Sequence, residues 1–189
     1  MEFSIDIERC LEVLQNGGTI LYPTDTIWGI GCDATNEAAV EKIYRIKKRP
    51  DKKKMIILLA DEKDLLTYVT QPDLRIFDYI KEIQKPTTVI YEGGIGIADN
   101  LINSDGTVAI RIVKEPFCKA LIKRFRKPIV STSANFSDYP SPLVFRDIDM
   151  AIKENVDYVV EYRQDDLTKA APSAIIKWNV DGSYVVIRP

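Results

Sequence analysis

Across residues 42–54 the sequence sets eight basic side chains, Lys42, Arg45, Lys47, Lys48, Arg49, Lys52, Lys53 and Lys54, against one acid, Asp51. The tract carries a net charge of +7 in a chain whose formal charge is -2, so any pull on an anion is local rather than a field of the whole molecule. Basic residues in the last turn of a helix answer the helix dipole, which is the plain account of such a run. Here the charges continue past Pro50 and lead straight into the apolar stretch at residues 55–59. Cations anchored at a sheet edge beside a cleft suit polyphosphate or RNA phosphate better than they suit bulk water.

Two hydroxyl-rich segments could complete such a site. Pro23-Thr24-Asp25-Thr26-Ile27-Trp28-Gly29-Ile30-Gly31 mixes turn formers, hydroxyls and an aromatic ring after an apolar run, the composition of a loop that holds a small polar ligand; an ordinary Asx turn would read the same way. Ser131-Thr132-Ser133-Ala134-Asn135 offers hydroxyls and backbone amides at a strand end, where they bind phosphate or merely cap the next element. Gly93-Gly94-Ile95-Gly96 has no Lys-Ser/Thr pair and no helix pattern behind it, so the phosphate-loop and dinucleotide fingerprints both fail. Histidine is absent, which excludes Ser-His, Cys-His and His-metal chemistry. The cysteines, Cys10, Cys32 and Cys118, form no Cys-x-x-Cys pair, and no protein-held metal is expected.

The elements that must position these residues follow from periodicity. A length of 189 residues, 46% of them hydrophobic, fits one domain spanning 1–189 with a full core. Ile7, Cys10, Leu11 and Leu14 predict an N-terminal helix stopped by Gly17-Gly18, and residues 19–22 a strand ended by Pro23. Asn36 caps a second helix that buries Ala39, Val40, Ile43 and Ile46, pairs Glu41 with Arg45 outside, and reaches its limit at Pro50. Strands are predicted at 55–59, 87–91, 107–112, 128–130, 156–161, 173–178 and 184–187, with Asp181-Gly182 turning the last pair into a hairpin. Helices are predicted at 63–68, 72–83 and 115–124, and residues 92–106 read as an exposed loop. Interleaved strands and helices predict an α/β (α+β) domain on one twisted, open, mixed sheet. Residues 55–60 form the longest apolar run, far short of the ~20 a membrane helix needs. The odd cysteine count and the lack of an apolar leader place the expected location in the cytoplasm.

Read as an ordered set, Pro23-Thr24-Asp25-Thr26-Ile27-Trp28-Gly29, Lys47-Lys48-Arg49-Pro50, Lys85-Pro86-Thr87-Thr88, Val108-Ala109-Ile110-Arg111, Ser131-Thr132-Ser133-Ala134-Asn135, Ser141-Pro142 and Ala171-Pro172-Ser173 resemble the YrdC/Sua5 family of threonylcarbamoyl-AMP synthases. The resemblance implies a domain with a basic central hollow that makes threonylcarbamoyl-adenylate and pyrophosphate from ATP, L-threonine and bicarbonate, for threonylcarbamoylation of the tRNA adenosine beside the anticodon. It implies catalytic roles for Lys47 and Arg49. ATP would be bound by Arg49, Lys53, Ser133, Asn135, Ser141 and Arg188, and threonine by Thr24, Thr88, Arg111 and Ser173. Lys47 and Arg49 are expected to carry phosphate rather than core contacts. Trp28, Lys48 and Asp138 stand where relatives have tyrosine, glycine and glycine, and Asp tolerates the left-handed backbone a glycine position demands.

Mg²⁺ is expected to ride mainly on the ATP phosphates and water. Other expected partners are the small substrates and tRNA, reached directly or through the enzymes that transfer the threonylcarbamoyl group; no membrane is involved. In-line attack on phosphorus rests on alignment and charge neutralisation, which a chain without histidine can supply. The alternative is a noncatalytic module that uses the same basic surface to bind tRNA or double-stranded RNA.

Overall fold

The computed structural model describes residues 3–49, 54–179 and 181–189, so Lys53 and the helix limit expected at Pro50 lie outside the described residues. Helix α1 (Ser4–Gln15) buries Ile7, Cys10 and Leu14, and Gly17 leaves it at φ +70°. Strand β1 (Ile20–Tyr22) and β2 (Gly29–Gly31) lead to α2 (Glu37–Ile46), where Asn36 Oδ1 accepts the Ala39 N–H at 3.1 Å and Arg45 meets Glu41 at 3.2 Å. Then follow β3 (Ile56–Leu59), α3 (Leu65–Tyr68), α4 (Arg75–Glu82), β4 (Thr87–Tyr91) and β5 (Val108–Ile112). Glu115 caps α5 (Pro116–Phe125), and β6 (Ile129–Ser133), α6 (Met150–Asn155), β7 (Tyr158–Val159), β8 (Ala174–Trp178) and β9 (Tyr184–Arg188) complete the chain.

All nine described strands join one mixed sheet in the order β7-β1-β2-β6-β3-β5-β4-β8-β9, with parallel pairs β1/β7, β3/β5 and β4/β8. Alternation along the strands decides what each face does. Ile57, Val89, Ile110 and Val130 go to the buried core, and α5 packs on α1 and β3. The other face carries Ala109 and Arg111 on β5; Ile90 is paired with Ala109 and Leu58 with Arg111, while Ile56 on β3 is paired with Ser131 on β6. Arg111 and Ser131, which interrupt these apolar strands, therefore share that face.

Several expectations change. The segment read wholly as a loop at 23–31 contains β2, because Gly29 and Gly31 let a strand slide between β1 and β6. Tyr22 reaches across Gly31 to donate to the Val130 carbonyl at 2.9 Å, and a Cβ at Gly31 would lie 2.6 Å from both the Tyr22 ring and that oxygen. Gly31→Ala should therefore cost about 2–3 kcal/mol in denaturant unfolding through overpacking; an unchanged midpoint would mean that both the ring and the Val130 carbonyl shift aside at no cost. Residues 131–133 are strand rather than loop, since β2 and β3 supply ladder partners on both sides. The 92–106 stretch is not simply exposed: Ile97, Ala98 and Leu101 are buried, and Tyr44 donates to the Asn100 carbonyl at 2.9 Å. Helix α6, capped by Asp149, was not anticipated, and β7 is shorter than the predicted 156–161 strand.

Candidate active site

A cavity of about 310 Å³ opens on the polar face of the sheet, and every described strand except β1 and β7 contributes to its wall. Its apolar floor includes Ile56, Ile90, Ala109 and Ile175, one short residue among larger ones, with Trp28 and Ile187 at the sides. Among the described residues four cations stand on the wall: Arg49, Lys54, Arg111 and Arg188. No carboxylate lines it among the described residues.

Arg111 is the most enclosed of these cations, at 3% side-chain exposure. The loop between β1 and β2 holds it: Nη2 lies 3.1 Å from Asp25 Oδ1, an ion contact without the alignment of a hydrogen bond, and donates to Thr26 Oγ1 at 3.4 Å. Its Nε is buried with no acceptor. Arg111 thus lines the cavity with one donor still unpaired, and a guanidinium presents its donors in the plane a carboxylate matches.

Ser173 and Arg188 face Arg111 from the β8–β9 end. Arg188 Nε donates to the Ser173 carbonyl at 2.9 Å and Nη2 approaches Ser173 Oγ at 3.4 Å. Burial, and then the like charge of Arg111, lower the pKa of Arg188. Arg49 donates from Nη2 to the Lys54 carbonyl at 2.9 Å, and burial lowers its pKa too. Cations held together at a desolvation cost are relieved by an anion entering among them.

The sequence-derived set divides into a wall and a backing. Arg49, Arg111, Ser133, Ser141, Ser173 and Arg188 line the cavity. Thr24 stands behind it: its Oγ1 donates to the Ile27 carbonyl at 2.8 Å, accepts the Thr26 N–H at 3.0 Å and meets Thr26 Oγ1 at 3.0 Å. Thr26, which sequence reasoning passed over, is the hydroxyl of that loop on the wall. Thr88 is fully buried with its Oγ1 2.9 Å from Ser173 Oγ, so it orients the serine. Asn135 spends its Nδ2 on the carbonyls of Phe136 and Tyr139, at 3.0 and 2.6 Å.

Lys47 departs furthest from expectation. Only 1% of it is exposed, and its Nζ donates to the carbonyls of Ser133 and, at 2.6 Å, Asn135. It was expected to make phosphate rather than core contacts; its amine makes core contacts, tying the end of β6 to the end of α2. Lys48 follows at φ 49° and Asp138 sits at φ 68°, so both positions read as glycine sites do take left-handed backbone. At Lys48 this closes a Schellman turn, with Lys48 N–H bonding to the Arg45 carbonyl and Arg49 N–H to Tyr44, which aims Arg49 away from the helix. Two further residues the sequence did not single out are Lys54, which lines the wall, and Asp25, the counter-ion of Arg111 behind it. Among the described residues no three His, Cys, Asp or Glu side chains cluster as metal ligands.

The Sua5/YciO/YrdC family model, described as telomere recombination, matches residues 12–189. The threonylcarbamoyl-AMP synthase of Saccharophagus degradans is 38% identical over 136 residues, 68% of each chain. The putative threonylcarbamoyl-AMP synthase of Methanocaldococcus jannaschii is 36% identical over 176 residues, covering 90% of this chain and 81% of its own. Among solved structures, E. coli YciO superposes with a TM-score of 0.83 at 25% identity, over 97% of this chain and 88% of its own. P. abyssi Sua5, solved with L-threonine, gives 0.86 at 22% identity over 98% of this chain. The chain spans about half the length of that P. abyssi protein, 54%. With the family match running over residues 12–189, this chain belongs to the Sua5/YciO/YrdC family.

Proposed function

We propose that this chain is a threonylcarbamoyl-AMP synthase, condensing L-threonine, bicarbonate and ATP to threonylcarbamoyl-adenylate and pyrophosphate for the modification of tRNA. The observation that carries the reading is the convergence of Arg111, Arg188 and Arg49 with the hydroxyls of Thr26, Ser133 and Ser173 on one wall that, among the described residues, holds no carboxylate. Curated relatives bearing that activity, one of them 38% identical, support it.

On this reading the guanidinium of Arg111, whose Nε has no acceptor of its own, takes the threonine carboxylate, and Ser173, oriented by Thr88, takes a polar group of the same substrate. Arg49, Lys54, Ser133 and Ser141 receive the nucleotide and its phosphates, with Lys53 as a further contact. The wall raises the cost of an ammonium and stabilises an anion, so the bound amine is biased toward its neutral form without a dedicated protein base. The amine and bicarbonate give a carbamate and water; a carbamate oxygen then attacks the α-phosphorus, and the α–β bridging oxygen leaves with pyrophosphate. Alignment and neutralisation of charge on the leaving group are what the chain supplies. Among the described residues no carboxylate faces this wall, so Mg²⁺ would be held by phosphate and water.

Pyrophosphate release from the purified chain should require ATP, threonine and bicarbonate together. Release without threonine, or salt-sensitive RNA binding with no turnover, would remove the synthase reading and leave the noncatalytic RNA-binding alternative. Among the described residues no helix is long and apolar enough to cross a membrane.

A further inference from the structure

Arg163 stands outside the cavity, on the turn that follows β7, in an unusual backbone state: φ is 66° for a residue with a long side chain. That turn is fixed from below. The buried carboxylate of Asp6 on α1 accepts the Tyr158 hydroxyl at 2.6 Å, the Glu161 N–H at 2.9 Å and the Tyr162 N–H at 2.9 Å. The Tyr162 ring packs between Phe3, at 4.9 Å, and Phe117, at 5.9 Å. A left-handed residue with a Cβ costs about 1–2 kcal/mol, so it is kept where the surroundings over-determine it.

What the strained position delivers is a guanidinium under the loop between β1 and β2. Nη1 donates to the Thr24 carbonyl at 3.2 Å and lies 3.9 Å from Glu115 Oε1, while Nε and Nη2 grip Asp166 Oδ2 at 3.1 and 2.9 Å. Glu115 is itself fixed as the cap of α5, accepting the Cys118 N–H at 2.7 Å. From Thr24 the contacts run on through the Thr24 and Thr26 hydroxyls to Arg111 Nη2, and Asp25 between them is the counter-ion of Arg111.

We propose that Arg163 is a positioning residue for the amino-acid half of the reaction: by holding the Thr24 carbonyl it sets the height of the Thr24–Thr26 hydroxyl pair and Asp25, and through them the orientation of Arg111. It touches neither the cavity wall nor a reacting atom. The assignment rests on the synthase reading, in which Arg111 takes the threonine carboxylate. Arg49 is held by the Tyr44 carbonyl on α2 and through its side chain by the Lys54 carbonyl instead, so the effect is confined to one substrate.

Arg163→Gln should raise the KM for threonine about tenfold, the worth of one hydrogen bond from a charged donor, with the KM for ATP unchanged and kcat within about threefold. Arg163→Lys keeps the charge and one donor toward Thr24 and should recover part of the loss. Threonine-induced thermal stabilisation of the chain, measured without ATP, should weaken in parallel. A lower melting temperature with unchanged KM for threonine, an equal rise in both KM values, or no rescue by lysine would overturn the assignment and leave Arg163 as a stabilising contact. A wild-type chain that releases no pyrophosphate under any substrate combination fails the synthase reading, and the assignment with it.

Discussion

Replacing Arg111 with methionine should abolish turnover and destabilise the fold at once. The guanidinium and Asp25 form an ion contact at 3.1 Å with side-chain exposures of 3% and 10%, so removing the cation strands a carboxylate in a low-dielectric place. Breaking one side of a buried pair costs about 3–5 kcal/mol, mostly as the penalty of the survivor. The double variant Asp25→Asn, Arg111→Met separates the two roles, because a neutral amide at 25 no longer needs a counter-ion. Chemical denaturation should show most of the lost stability restored in the double variant. Pyrophosphate release should stay down by about 10²–10³-fold, the usual effect of removing a positioned charge donor from a reacting site. Recovery of turnover together with stability would show that Arg111 serves only the loop, and the seat for the threonine carboxylate would have to be sought at Arg188. Arg111→Lys should preserve much of the stability and little of the activity, since an ammonium cannot present two donors in one plane.

The same pair shows what could and could not be read from the chain. Val108-Ala109-Ile110-Arg111-Ile112 alternates, and the alternation alone puts Ala109 and Arg111 on one face and the isoleucines on the other. Helix α2 was legible to its cap, because Asn36, the apolar spacing and the Glu41–Arg45 pair are all local signals. What stayed hidden depends on partners distant in the chain. Strand β2 is three residues long, and two of them are glycine, so no propensity marks it; only its neighbours β1 and β6 make it a strand. Thr24 and Thr26 are indistinguishable by type, and the turn that points one at Arg111 and folds the other inward is made by hydrogen bonds within the loop and held from outside at the Thr24 carbonyl by Arg163. Charge density in 42–54 pointed to the cavity as a whole but could not say which cations face it. Arg49 and Lys54 line the wall, Lys42 donates to the Gly17 carbonyl at 2.8 Å, and Lys47 turns into the protein.

That inward turn gives Lys47 its own signature in pH. Burial, with the nearby Arg49 charge adding to it, pushes its pKa down to about 7. A neutral amine still carries two N–H donors, enough for the carbonyls of Ser133 and Asn135, so deprotonation removes the charge without breaking either bond. Between about pH 7 and the ordinary lysine range the unfolded chain binds the proton that the folded chain has released, so this residue makes stability rise with pH across that window. Below about 7 both states are charged and the full desolvation penalty applies. The buried thiols of Cys10, Cys32 and Cys118 work the other way, because burial raises their pKa values and stability falls once the unfolded thiols ionise. The contribution of Lys47 must therefore be read as the difference between wild type and Lys47→Met. That variant strands two carbonyls and should be less stable by about 2–4 kcal/mol near neutrality. Its deficit should widen from pH 7 to pH 9.5 by at most about 1.4 kcal/mol per pH unit, the value of one proton. Turnover should fall as well, because Ser133 on the wall loses the tie that fixes its carbonyl. A variant that melts like wild type at every pH while losing turnover would place the ammonium in the cavity on the phosphates, the role its motif first suggested.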